Sequence, residues 1–249
     1  MKRKSLINIC ASALLATVAV SSYAQNIEVP TGVETASGVQ GVWIPGQTYQ
    51  VYIDPTQLAA FTVPQTIYGL RLRASIDPRN DGYAPAWPPG DVTLAQYDIE
   101  LSRASAAIRT GAGIASTATS FAQNQAFPIA LVRSGPLTIP ARSYPIDANA
   151  TPASPNPFGA HIGFSTPYVY NPGEEMLVTI RVAGADDSSR PFYVATRPNE
   201  KELADAVFAD SPFAKRPAQK SGVVVMELVT TPTQRIEADA PALRLPQAK

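Results

Sequence analysis

Alternation of apolar and polar residues with a period of two is the strongest pattern in this chain. In Ile67-Tyr68-Gly69-Leu70-Arg71-Leu72-Arg73-Ala74, Leu70, Leu72 and Ala74 fall on one side and Arg71 and Arg73 on the other. That is the pattern of a strand with one buried and one solvated face. Tyr97, Ile99 and Leu101 alternate in the same way with Asp98, Glu100 and Ser102. Strands are therefore expected over Ile67–Ser75 and Tyr97–Ser102. Further segments rich in β-branched and aromatic residues, each bounded by turn residues, are Val39–Ile44, Tyr49–Ile53, Phe127–Arg133, Pro136–Ile139, His161–Thr166, Met176–Val182 and Val223–Val229. Between two of these, Asn171-Pro172-Gly173 is a turn with a mechanism: Pro172 presets φ and Gly173 permits φ > 0. This predicts His161–Thr166 and Met176–Val182 as neighbouring antiparallel strands.

Prolines (24) and glycines (15) are spread along the chain and leave few stretches where a helix of ordinary length survives. Asn199–Phe208 is the best helical candidate, with Glu200 and Glu202 in its first turn, where the helix dipole favours acid. Asp77–Asp91 and Ser143–Gly159 read as long surface loops, and Thr231–Lys249 as a polar tail. Roughly nine strands without β-helix-β alternation predict an all-β fold. The architecture expected is an antiparallel β-sandwich, jelly-roll-like, with long loops and at most one short helix. The domain plan is an N-terminal extended segment over 25–38, a sandwich over 39–230 and a flexible tail over 231–249.

The first 24 residues break this pattern. Lys2, Arg3 and Lys4 precede an apolar stretch from Leu6 to Val20 and then Ser22-Tyr23-Ala24, the layout of a cleavable secretory signal. Cleavage is expected after Ala24, with the product secreted or periplasmic and without a membrane span. The leader carries three of the 20 basic residues and none of the 20 acidic ones, so 17 Lys and Arg face 20 Asp and Glu in the exported chain. This mild acidity, with no basic block, argues against nucleic acid as a partner. The single cysteine, Cys10, leaves with the leader, so disulfides are not expected to hold the fold.

From Trp43 onward the chain resembles a group of secreted single-domain β-sandwich proteins of environmental bacteria, many ending in a PEP-CTERM sorting signal. The resemblance is carried by Tyr49-Gln50-Val51-Tyr52, Gly69-Leu70-Arg71-Leu72-Arg73, Tyr97-Asp98-Ile99-Glu100-Leu101-Ser102 and Phe121-Ala122-Gln123-Asn124. Ser134-Gly135-Pro136-Leu137-Thr138-Ile139 and Thr166-Pro167-Tyr168-Val169-Tyr170-Asn171-Pro172, followed by Met176-Leu177-Val178-Thr179-Ile180-Arg181, continue it. It implies a β-sandwich and export, and brings no catalytic residues. The end of the chain, Ala240–Lys249, lacks the Pro-Glu-Pro motif, apolar helix and basic terminus of such a signal, which implies a soluble or externally retained product.

Candidate chemistry is sparse. One histidine, His161, and no cysteine in the exported chain leave zinc and redox centres without ligands, so no metal or cofactor is expected. His161 lies in an apolar strand and reads as structural. Thr110-Gly111-Ala112-Gly113 lacks the lysine and strand-to-helix context of a phosphate loop. Glu174-Glu175, Asp186-Asp187, Asp91 and Asp98 are carboxylates that could in principle serve glycoside hydrolysis. The neutral reading is that the two pairs solvate the ends of strand Met176–Val182. Asp77, Asn80 and Asp81 resemble half of a calcium loop without its terminal Glu. In the same loop Tyr83 and Trp87, flanked by Asp81 and Asp91, form the candidate ligand site: their rings would stack on a sugar or anchor a partner, or else fold back to cap the sandwich.

No catalytic residue is assigned. The function expected is a non-enzymatic exported sandwich that binds a surface ligand such as a glycan, or an envelope component with an envelope-protein partner. The alternatives are a carbohydrate-active enzyme using loop carboxylates and a subunit that polymerises by donating a strand.

Overall fold

The structure is a computed structural model and describes residues 26–35, 38–39, 42–43, 46–109, 120–185, 192–198 and 203–231. Its strands, in chain order, begin with β1 (Ile27–Val29), β2 (Gln47–Ile53), β3 (Gln65–Arg73), β4 (Ala86–Trp87) and β5 (Val92–Ala104). They continue with β6 (Gln125–Arg133), β7 (Leu137–Ile139), β8 (Tyr144–Pro145), β9 (Phe158–Tyr170) and β10 (Met176–Ala185). The last are β11 (Thr196–Arg197), β12 (Ala204–Ala209), β13 (Gln219–Ser221), β14 (Val223–Val224) and β15 (Met226–Val229). Among the described residues there are also two single-turn helices, α1 (Ala106–Arg109) and α2 (Phe121–Asn124), and short 3-10 turns at Pro55–Leu58 and Pro78–Tyr83.

The strands form a four-stranded sheet in the order β1-β15-β3-β9 and a seven-stranded sheet that runs β13-β12-β2-β10-β5-β6, with β7 beside β5. Every pairing is antiparallel. Tyr49, Val51 and Ile53 from β2, Tyr97, Ile99 and Leu101 from β5, and Val178, Ile180 and Val182 from β10 point inward. They meet Ile67, Leu70 and Leu72 from β3 and Met226 and Leu228 from β15 in one core. All of these are at most 1 % exposed. Removing each from water is worth about 1.5–3 kcal/mol, and this shared core is what makes two sheets a sandwich.

Several expectations are corrected. Of the helix expected over Asn199–Phe208, residues 199–202 lie outside the described residues and Ala204–Ala209 is strand β12, held between β2 and β13. Both of its faces are covered: Ala204 and Ala206 join the main core, Val207 and Ala209 a second cluster on the far side of the sheet. The strands carrying His161–Thr166 and Met176–Val182 are not neighbours. The turn at Asn171-Pro172-Gly173 carries the chain across from β9 in one sheet to β10 in the other, where β2 and β5 occupy both of β10's edges. Val223–Val229 breaks at Val225, whose N–H goes to Ala195, so β14 and β15 join different sheets. In the stretch expected as a strand over Val39–Ile44, Val39 makes a single bridge to Val194 and Val42 and Trp43 form a turn. The remaining residues of that stretch lie outside the described ones.

The N-terminal segment belongs to the sandwich. Strand β1 pairs with β15, and Glu28 receives both Arg73 (2.8 and 2.9 Å) and Arg197. Arg73 also donates to Glu34, and residues 30–35 cover this group, so Arg73 is buried instead of solvated as its alternation predicted. Burial raises the Glu34 carboxyl above its ordinary range despite that partner. The leader over 1–24 and the tail beyond residue 231 lie outside the described residues.

Candidate functional site

The loop singled out from sequence is built inward. Asp77 caps the 3-10 turn Pro78–Tyr83, accepting from the Arg79 N–H (2.9 Å) and Nε (2.7 Å), and these bonds hold its carboxyl down at about 2. Asn80 is buried and donates to the carbonyls of Ser75 (3.0 Å) and Tyr193 (2.8 Å). Two of the three residues of the half calcium loop, Asp77 and Asn80, are thus engaged in shaping the backbone. Tyr83 is half-buried against the core. Trp87 is 2 % exposed: β4 pairs with β8, and the indole stacks on Phe192 at 4.3 Å and meets Tyr144 edge-on at 5.7 Å. Asp81 and Asp91 stay exposed, and Asp91 accepts from the Ala141 N–H (2.7 Å). These four residues do not share an open site, because the ring that would hold a ligand closes the core instead.

A second region does form a cavity. On the outer face of the seven-stranded sheet, pairing across β2, β10 and β5 sets side chains in rows. One row is Tyr52, Leu177 and Ser102; the next is Gln50, Thr179 and Glu100; the third is Thr48, Arg181 and Asp98. Polarity rises from the first to the third. Tyr52 and Leu177 pack with Ile108, Phe121 and Val207 in the outer cluster. In the middle row, buried Gln50 donates from Nε2 to Thr179 Oγ1 (2.9 Å) and to the Phe121 carbonyl (3.1 Å). Its Oε1 accepts from Asn124 Nδ2 (2.8 Å). This amide pair clamps α2 onto the sheet.

Beyond α2, Arg181 and Asp98 of the third row line an open groove, while Thr48 is buried. The groove encloses about 830 Å³ above Arg181, Asp98, Gln96 and Ala183, walled by Ser120, Phe121 and Ala122 on one side and Pro212, Phe213, Ala214 and Lys215 on the other. Each wall is tied down. Ser120 caps α2 in a reciprocal box with Gln123 (3.1 and 2.9 Å), and the Phe121 N–H donates to the Lys215 carbonyl (3.0 Å). Thr48 Oγ1 donates to the Ser211 carbonyl (2.8 Å). Arg181 Nη1 donates to Thr48 Oγ1 (3.1 Å) and to the Pro212 carbonyl (3.4 Å), with its guanidinium 5.7 Å from the centre of the Phe121 ring. Asp98 Oδ1 accepts from Gln96 Nε2 (2.6 Å) and the Gly135 N–H (3.2 Å). At the rim Phe213 is 83 % exposed.

Chemically the groove offers an apolar wall, an aromatic ring facing water and a hydrogen-bonding floor. No known family, curated protein or solved structure matches the chain. The site is therefore read from its own geometry. Of the carboxylates considered from sequence, Asp98 alone among the described residues lines the groove. Glu174 and Glu175 pair with Arg103 (3.3 and 3.4 Å), with Glu175 buried and so not a solvating end of its strand. Asp186 and Asp187, like Thr110-Gly111-Ala112-Gly113, lie outside the described residues. His161 sits on β9, where burial lowers its pKa, the direction of a structural imidazole kept neutral. Phe213, Arg181 and Lys215 were missed from sequence. For Arg181 a signal existed, since it is the charged residue in an otherwise apolar and neutral strand, Met176–Val182.

Proposed function

We propose that this protein is an exported, non-enzymatic binding module that takes a carbohydrate in the groove on the outer face of its larger sheet. The observation that carries this reading is the pairing of the exposed Phe213 ring with a row of polar side chains at the floor of an 830 Å³ cavity. Sugars present an apolar ring face and a rim of hydroxyls, and such a site meets both at once. Export rests on the leader pattern over residues 1–24. The hydrolase alternative has less support, since glycoside hydrolysis takes two facing carboxylates and, among the described residues, the groove is lined by Asp98 alone.

The test is a glycan array probed with the exported protein and with Phe213→Ala. Binding to a defined set of glycans that the variant loses supports the module. Binding to none, or binding that the variant retains, overturns it. N-terminal sequencing of the exported product is expected to begin at Gln25, and an uncleaved product retained inside the cell would contradict the export assignment.

A further inference from the structure

Five arginines of this sandwich are paired with carboxylates. Arg71 pairs with Glu227 (2.8 Å), Arg73 with Glu28 and Glu34, Arg79 with Asp77, Arg103 with Glu174 and Glu175, and Arg197 with Glu28. Arg181 is not among them, and like Arg133, which donates to the Gly163 and Pro136 carbonyls, it bonds neutral oxygens; what sets it apart is that it lines the groove. It sits half-buried in the groove, and its hydrogen bonds go to neutral oxygens, Thr48 Oγ1 and the Pro212 carbonyl. Asp98 stands opposite it in register, but among the described residues the two form no ion pair, and Asp98 Oδ1 is taken by Gln96 and the Gly135 N–H. Lys215, exposed on the neighbouring wall, likewise has no ion-pair partner among the described residues. The groove therefore holds two cations against one carboxylate, an excess of positive charge, with Asp98 Oδ1 turned to neutral donors and not to Arg181. A partly desolvated guanidinium favours an anion close by, and its planar fork matches a carboxylate better than any neutral oxygen does.

From this charge inventory we infer that the groove selects acidic carbohydrates, a uronic-acid-bearing glycan, with the sugar carboxylate between Arg181 and Lys215 and a ring face on Phe213. The inference rests on the binding-module reading and narrows its ligand class. An open groove with a polar floor suits a hydroxylated ring, whereas a fatty-acid tail would need an enclosed apolar tunnel. Arg181 supplies recognition of the acid, and Phe213 supplies affinity that is blind to charge.

The experiment is calorimetric titration of the exported protein with trigalacturonate, its trimethyl ester and cellotriose, repeated on Arg181→Gln, Lys215→Ala and Phe213→Ala. The acid is expected to bind at least about tenfold more tightly than its ester, and raising the salt should erode that preference. Arg181→Gln should bring acid and ester to near parity, while Phe213→Ala should weaken both together. Lys215→Ala alters an exposed side chain, and it should cut the preference in part; this keeps the test decisive if Arg181→Gln fails to fold. Equal binding of acid and ester, both lost in Phe213→Ala, would overturn the acid selectivity and leave the carbohydrate module standing. Binding of none of the three saccharides would count against the module itself. Dodecanoate binding as tightly as the uronate would sink the sugar assignment.

Discussion

The loop over Asp77–Asp91 and the groove beside Phe213 hold much the same kinds of side chain and use them in opposite ways. In the loop, Trp87 is carried inward by pairing of β4 with β8 and ends up stacked on Phe192, while Asp77 caps the 3-10 turn beside it. In the groove, a ring from Ser211-Pro212-Phe213-Ala214, a stretch with no pattern of its own, stands in water beside a cation. An aromatic residue flanked by prolines and acids is thus a site only if the fold leaves it uncovered. Large rings gain more from burial than from exposure, and one left exposed at the rim of a cavity is the more informative observation.

Four substitutions break or sharpen this contrast. The largest effect is expected from Trp87→Ala, which empties the middle of the aromatic cluster and should cost about 3–5 kcal/mol in urea-induced unfolding. A loss below 1 kcal/mol would mean the ring is free, as a ligand-stacking residue would be. Gln50→Leu follows: it strips the partners from the Asn124 amide and the Phe121 carbonyl, and should cost about 1–3 kcal/mol while loosening the wall of the groove. Unfolding and saccharide titration on the same variant read the two consequences separately, and full retention of both would show that the buried row does not position α2.

Asp77→Asn addresses the loop through pH. The Asp77 carboxyl is held at about 2 by Arg79, against an ordinary value of 3.8, so its stabilisation is present above about pH 4 and is lost as pH falls toward 2. Arg79 is half exposed, and solvent screening keeps the contribution small. The variant should lack that acid-side decline in a pH series of melting temperatures; an unchanged slope would detach the carboxylate from the fold. Phe213→Ala is the smallest, with stability within about 0.5 kcal/mol of the parent and the effect appearing in binding alone. A marked drop in melting temperature would place Phe213 in the packing, with the loop rings.

Much of the sandwich was legible because its central strands alternate. β2, β3, β5 and β10 each overlap a predicted segment, and the residues expected inward in Ile67–Ser75 and Tyr97–Ser102 are buried, although Arg73 and Ser102, expected outward, are buried as well. β12 was illegible for a physical reason. Ala204, Asp205, Ala206 and Val207 are all at most 2 % exposed, so the two-residue rhythm has no polar half, and the acids before it imitate a helix start. The run Val223–Val229 is apolar except for Glu227 and carries no mark, at Val225, of the point where the chain changes sheets. Asp98 was named as one carboxylate among several, but nothing in its neighbourhood points to Arg181, 83 residues further on, or to Phe213 beyond that.

What the amino-acid order determined by itself is the strand-rich class, the inward side of each alternating strand and the turns between them, because a two-residue period is a property of the local backbone. Only the tertiary structure decided which strands lie side by side, that Trp87 turns in while Phe213 turns out, and that Thr48, Arg181 and Asp98 share a row. Those outcomes depend on register between segments distant in the chain, and register is set by the fit of two buried faces that no single segment contains.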